Sequence, residues 1–360
     1  MNISVLGGGH GCYAAAATLT EQGHEVTLWR RDKALLRSLQ EKNSITVLDA
    51  KGERDVEIAH LTSDIETALK HNKVIIIPLP ALVHESLAKT TATLWQDGQV
   101  VFLPPGTFGS YLFIKAARDA GNLADVTFAE TGTLPYLTRK RDTHLVAISG
   151  HATRLPTGVF PAKNAEYAFP LLEQAYPAIE RIEDALSAAL MNAGPIIHTP
   201  LIVMNAGPLE HFDKWDIHNE GTQASVRRTT DALDAERIAI RKAFGYSAPH
   251  FPLADNYDAE RDEWMYGNTP HETLHEGGDW REDISLTEHR YMLEDVELGL
   301  AFLSSCAEYL QLDCPLINGF LAIGSAINQR NFKLSPRTLH SLGLDSLDQK
   351  ALQQLLHDGI

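Results

Sequence analysis

A short apolar run, Ile3–Leu6, gives way to glycines at Gly7, Gly8, Gly9 and Gly11, then to the Ala-rich stretch Tyr13–Ala17, a polar break at Glu21–Gly23 and a second run, Glu25–Trp29. Strand, tight turn, helix, turn and strand within about thirty residues is the pattern of a βαβ unit. Further apolar runs at Val74–Ile77, Val100–Leu103 and Val126–Ala129 are separated by helical stretches. That alternation predicts a parallel sheet covered on both faces. Ser44–Ile58 alternates on either side of Lys51-Gly52 and reads as an inserted β-hairpin.

After about residue 180 the pattern changes. Ile182–Met191, Thr222–Phe244 and Glu288–Leu310 carry apolar positions three and four residues apart, so this half should be mainly helical. Residues 246–285 are rich in Pro, Gly, Asp, His and Trp without a period, which suggests a long functional loop or short helices. The expected organisation is an α/β chain: a Rossmann-like, dinucleotide-binding domain over 1–183, followed by an all-α substrate domain over 184–360.

With 360 residues the chain has room for two cores, and 44% hydrophobic and 22% charged residues are those of a globular protein. The formal net charge of −16 and pI near 5.4 repel phosphate backbones and anionic lipid. Nucleic acid and membranes are therefore not expected partners, and an anionic ligand must be gathered by local Arg, Lys or helix N-termini. Cys12, Cys306 and Cys314 are odd in number and lack C-x-x-C spacing, so neither a disulfide framework nor a Cys-based metal site is expected. The chain enters a strand pattern at once, and its longest apolar stretch, Val74–Val83, is short and holds two prolines. A cytoplasmic location is the expectation.

Gly7-Gly8-Gly9-His10-Gly11-Cys12 fits G-x-G-x-x-small directly between a strand and a helix. In such a loop Gly7 makes the tight turn, Gly9 lets the backbone approach a pyrophosphate, and the sixth position must be small for helix and strand to pack. Cys12 departs from Gly or Ala but remains small. Arg30 ends the second strand, where an acid would hydrogen-bond the adenosine ribose 2′-OH of NAD. A guanidinium cannot accept that bond and instead pairs with a 2′-phosphate, which favours NADP; Arg31 and Lys33 could add charge. Stacking of Arg30 on the adenine alone would leave NAD and NADP comparable.

Hydride transfer to C=O or C=N needs a proton donor, and an acidic substrate needs a cationic clamp. His198 lies in the Pro-bracketed stretch Gly194–Pro200 and should sit buried at a kinked helix; from spacing alone a lone His there is more often a core residue than a catalyst. Arg290 and Asp295 are five apart, turned about 140° on an α-helix, so one of them should face elsewhere. His271-Glu-Thr-Leu-His275 matches the H-E-x-x-H zinc-hydrolase signature, but Pro270 and Gly277-Gly278 leave barely one helical turn around it. A catalytic metal is not expected.

The chain resembles the octopine/nopaline-type opine dehydrogenases over nearly its whole length. The stretches that carry the resemblance are Val5–Gly11, Ile77–Ala81, Pro105-Gly106, Glu130-Thr131, Ile197–Leu201, Asp234–Phe244, Arg290–Val296 and Arg337–Gly343. It implies NAD(P)H-dependent condensation of an α-keto acid such as pyruvate with the amino group of an amino acid. It also implies His198 as catalytic histidine, Asp295 as its dyad partner and Arg290 as the arginine on a substrate carboxylate. The candidate cofactor residues are Gly7, Gly9, His10, Gly11, Cys12, Arg30, Arg31, Pro80, Pro105 and Gly106, of which the two arginines depart from the acid that NAD-using members of the family carry there. Partners would be small-molecule substrates, and a homodimer stays open. Residues 207–233 and 246–285, with His211, Trp215, His218, Trp264, Tyr266 and Trp280, match no family pattern and are expected to shape the amino-acid pocket. Related ketone reductases of the glycerol-phosphate or ketopantoate type usually employ a lysine base, which has no matching position here. A cofactor-binding sensor would not require His198, Arg290 and Asp295.

Overall fold

Asn2–Leu6 (β1) lies inside an eight-stranded sheet in the computed structural model, which describes residues 1–254, 265 and 283–360. The other strands are β2 (Glu25–Trp29), β3 (Ser44–Asp49), β4 (Gly52–Glu57), β5 (His60–Thr62), β6 (Val74–Ile76), β7 (Val100–Leu103), β8 (Thr127–Thr131), β9 (Tyr136–Lys140), β10 (Leu145–His151), β11 (Leu155–Phe160) and β12 (Ile179–Arg181). The large sheet runs β12-β11-β8-β7-β6-β1-β2-β5. Ile3, Val5, Leu6, Val26, Leu28, Val74, Ile75, Ile76 and Val100–Leu103 are buried. Interior strands with both faces covered must be apolar throughout, which explains their unbroken runs.

The sheet departs from the all-parallel expectation at one edge, where β11 runs antiparallel to β8. The chain between them is not a helical crossover but the β9–β10 pair, and an antiparallel neighbour needs no crossover. The expected hairpin forms as β3 and β4, with Asp49 opposite Gly52. It is half of a second sheet, ordered β4-β3-β10-β9.

Two compact units result: Met1–Ala189 with Leu355–Ile360, and Leu190–Gln354. The sequence-based division after residue 183 falls six residues earlier, and the last residues return to the first unit, where the Ile360 carbonyl accepts from Arg118 Nε at 3.0 Å. Ala185–Met204 is apolar and long enough to cross a membrane, which the reading of Val74–Val83 as the longest apolar stretch overlooked; 83% of its apolar window is buried. It is broken by a turn at 190–193, between the helices Ala185–Ala189 and Gly194–Met204.

In the second unit the helix Ala224–Ala243 buries Arg237 and Arg241. Arg237 pairs with Asp234 at 2.6 Å and donates to the carbonyls of Leu190, His250 and Phe251, so its charge is desolvated but satisfied. Glu236 accepts from the backbone N–H of Leu316 and Ile317, both at 2.9 Å, and caps the helix Pro315–Ile327. The periodic stretch expected as one α-helix over Glu288–Leu310 is a π-helix at Tyr291–Leu300 that continues as α-helix at Ala301–Tyr309.

Candidate active site

In the first unit the loops after β1, β2 and β6 meet at the carboxyl edge of the sheet, where strand order reverses around β1. Gly7 has φ of +121°, a conformation that L side chains rarely adopt, and its N–H donates to the Trp29 carbonyl at 2.8 Å. Gly9 precedes the helix His10–Glu21 and faces open space, so a pyrophosphate has room at the helix N-terminus. Cys12 is fully buried; burial pushes its thiol up to about 12, leaving an inert packing residue in the small sixth position. The residues present fit a dinucleotide.

Arg30 does not extend into solvent. It folds back over Gly8, its Nη1 donates to the Tyr13 hydroxyl, and it is 7% exposed. Arg31 is exposed, and Lys33 opens the next helix, capped by Asp32. Pro80 ends the loop after β6, in which Leu79 packs against Gly7 and Pro78 lies beside Gly11. Pro105 and Gly106 lie in the loop after β7. That loop is held by the buried Glu130, which accepts from the backbone N–H of Phe108 at 2.8 Å, from that of Ser110 at 3.2 Å and from the Ser110 hydroxyl.

In the second unit His198 and Asp295 come together. His198 Nδ1 lies 2.8 Å from Asp295 Oδ2. The histidine sits on Gly194–Met204, a helix with Pro195 in its first turn that continues through Pro200, and its side chain is 19% exposed rather than buried as expected. A methyl group added at Gly194 would stand 2.5 Å from Asp295 Oδ1, and one added at Gly299 would stand 2.2 Å from the Pro195 ring. These two glycines let the histidine helix and the π-helix approach until the pair can form.

Burial pushes the Asp295 carboxyl up to about 7, against the pull of the Arg290 guanidinium. The α-helical estimate that turned Arg290 and Asp295 apart fails because a π-helix closes i→i+5 hydrogen bonds, and residues five apart are about one turn apart. Arg290 reaches over the Tyr291 ring, with its guanidinium carbon 5.4 Å from the centroid. Tyr291 stacks on His198 with centroids 3.8 Å apart, and His218 Nε2 lies 3.1 Å from its hydroxyl. One acid, two imidazoles, a phenol and a guanidinium thus form a single constellation.

Across 96% of the chain and 95% of the other protein, the sequence is 31% identical to the opine dehydrogenase of Arthrobacter sp. (strain 1C). The chain belongs to the opine dehydrogenase family. Its members are NAD(P)-dependent oxidoreductases that act on CH–NH bonds, joining a keto acid to an amino acid. Residues 181–328 match the family model described as NAD/NADP octopine/nopaline dehydrogenase, alpha-helical domain. Residues 2–106 match that of the NAD-dependent glycerol-3-phosphate dehydrogenase N-terminus. The fold is similar to that of octopine dehydrogenase in complex with NADH and agmatine, at TM-score 0.70 and 16% identity, covering 100% of this chain and 98% of the other. It is also similar to that of NADP+-bound yersinopine dehydrogenase, at TM-score 0.65 and 14% identity, covering 99% and 98%.

Sequence reasoning missed Tyr291 as part of this opine dehydrogenase family member's constellation and expected His218 only among the residues that shape the amino-acid pocket. Neither has a local signal: they are 73 residues apart and meet only in the fold. Of the aromatics expected to shape a pocket, Trp215 donates to Asn205 Oδ1 at 2.9 Å and stacks on Phe212. Trp264, Tyr266, Trp280 and the His271-Glu272-His275 motif lie outside the described residues. No cluster of potential metal ligands occurs among the described residues.

Proposed function

We propose that this family member is an NADPH-preferring opine dehydrogenase in which His198 moves the protons of the reaction, Asp295 holds its tautomer and Arg290 binds a substrate carboxylate. The observation that carries the reading is the 2.8 Å contact between His198 Nδ1 and Asp295 Oδ2. When ionised, Asp295 can only accept, which puts the hydrogen on Nδ1 and leaves Nε2 to exchange a proton with substrate. The ionised Asp295 also stabilises the imidazolium that forms during proton transfer.

The amino group of an amino acid adds to the carbonyl of an α-keto acid such as pyruvate. Protonation of the resulting hydroxyl by His198 Nε2 releases water and leaves the protonated imine, which hydride converts to the secondary amine. NADPH, when bound, supplies the hydride that reduces it. Arg290 and His198 both contact Tyr291, which supports a shared site, and the guanidinium suits a planar carboxylate. Arg30, at the end of β2, supports the preference for NADPH because it can pair with a 2′-phosphate and cannot accept from a 2′-OH.

The test is oxidation of NADPH, and separately of NADH, by the purified protein with pyruvate and a panel of amino acids, each component omitted in turn. Consumption that requires both carbon substrates is expected. Consumption with the keto acid alone would make the protein a simple ketone reductase.

A further inference from the structure

Arg30 is not the only cation beside the glycine loop. Lys140 ends β9, in the second sheet, and its Nζ lies 4.6 Å from the centroid of the Tyr13 ring. The Arg30 guanidinium carbon lies 5.6 Å from the same centroid. The backbone N–H of Lys140 donates to His10 Nδ1 at 3.0 Å, which ties the end of β9 to the first residue of the helix that follows the glycines. Three chain segments distant in sequence are thereby gathered around one phenol.

The two cations carry no ion pair with any acid among the described residues, although this chain has a large acidic excess. Arg30 is buried, and its Nε has no hydrogen-bond partner. Burial and then the nearby Arg30 charge hold the Lys140 ammonium below its usual range; Asp142 and Cys12 oppose this only in part. Two like charges held together, one with a buried idle donor, are costly unless an anion joins them. A singly charged carboxylate would leave one of them uncompensated. A phosphate monoester, close to a dianion at neutral pH with three acceptor oxygens, matches both.

We propose that Lys140 and Arg30 together form the site for the adenosine 2′-phosphate of NADPH, with Lys140 as a specificity-determining residue. The inference rests on the cofactor preference proposed above and adds a second, independent residue to it. The 2′-phosphate is favoured over the pyrophosphate because Arg30 directly follows β2, where the adenosine ribose is read, whereas the pyrophosphate belongs at the helix N-terminus beside Gly9.

The experiment is titration of the full-length protein with NADPH and with NADH in the absence of carbon substrates, read by nicotinamide fluorescence. The wild type is compared with Lys140→Met, which keeps an apolar stem, and with Lys140→Arg, which keeps the charge. Lys140→Met is expected to weaken NADPH about 10- to 100-fold and to lower the preference for NADPH over NADH by a similar factor, with Lys140→Arg restoring most of it. Equal weakening of both cofactors would place Lys140 at the pyrophosphate or in the scaffold and overturn the proposal, as would an unchanged NADPH affinity. A wild type that prefers NADH defeats the cofactor reading itself. Calorimetry with 2′-AMP and 5′-AMP then still decides on Lys140, because only a 2′-phosphate site makes the variant lose 2′-AMP selectively. A melting curve for each variant separates these outcomes from misfolding.

Discussion

His198 and Tyr291 lie face to face, ring centroids 3.8 Å apart and planes 10° from parallel. An imidazolium gains from an aromatic face, so the stack and Asp295 both favour the charged histidine. Tyr291→Leu should therefore move the alkaline limb of the kcat/KM profile to lower pH by roughly half a unit to one unit. Tyr291→Phe keeps the ring and should leave that limb in place. A Tyr291→Leu profile superimposable on the wild type would reduce the tyrosine to packing.

Removing the imidazole should abolish the chemistry but not cofactor binding, because Arg30 and the glycine loop belong to the other unit. His198→Ala is expected to lower kcat by about 10²- to 10⁴-fold while the fluorescence titration with NADPH stays within a factor of about two. Turnover retained in His198→Ala would take the proton-transfer role away from this residue.

Asp295 makes stability depend on pH in a direction opposite to that of an ordinary salt-bridged carboxylate. Its folded pKa is raised from 3.8 to about 7, so between those values the folded state binds more protons than the unfolded chain. Stability then falls as pH rises through that window and levels off above it. Asp295→Asn cannot ionise. The variant should match the wild type near pH 4 and become relatively more stable by pH 8, by roughly 1–3 kcal/mol. Its kcat should nevertheless drop about 10²- to 10⁴-fold, because the tautomer is no longer fixed. Urea unfolding at four pH values and one rate measurement check both halves.

The first half of the fold was legible because a parallel sheet covered on both faces writes itself as unbroken apolar runs, and because Gly7 needs a backbone that few other residues adopt. The strands from β9 to β12 were not, since Arg139, Lys140, Gly150 and Pro156 interrupt their pattern. His198 and Asp295 were legible only through a family resemblance. Their partnership depends on a π-helix, and its i→i+5 geometry leaves no mark in an apolar pattern read at α-helical spacing. Lys140 carried no signal at all, because nothing local shows that the end of β9 returns to the ring of Tyr13.

Gly194 offers a test of the dyad that changes none of its chemical groups. A methyl group there would lie 2.5 Å from Asp295 Oδ1, closer than side chains tolerate, so the carboxylate or the helix must shift. Gly194→Ala should cost about 1–3 kcal/mol of stability and lower kcat with little change in cofactor affinity. Melting temperature and steady-state rates, measured beside Gly207→Ala at a position with open space, separate the steric effect from helix propensity.

Glu130 is fully buried at the end of β8 and holds the chain from Phe108 to Ser110 through backbone and hydroxyl donors. The loop it braces includes Gly106, where an added methyl group would lie 2.1 Å from Glu130 Oε2, so loop and carboxylate fit only with glycine between them. Glu130→Ala removes the acceptor and leaves buried N–H groups unsatisfied, at about 1–3 kcal/mol each. Glu130→Gln retains one carbonyl oxygen and should lose about half as much. If the loop contributes to cofactor binding, as the resemblance of Pro105-Gly106 implies, both variants should also weaken NADPH and NADH by the same factor, since the loop lies away from Arg30. Thermal melts with and without each cofactor distinguish the two effects. A stability loss without any change in cofactor-induced stabilisation would confine Glu130 to the scaffold and remove Pro105 and Gly106 from the cofactor site.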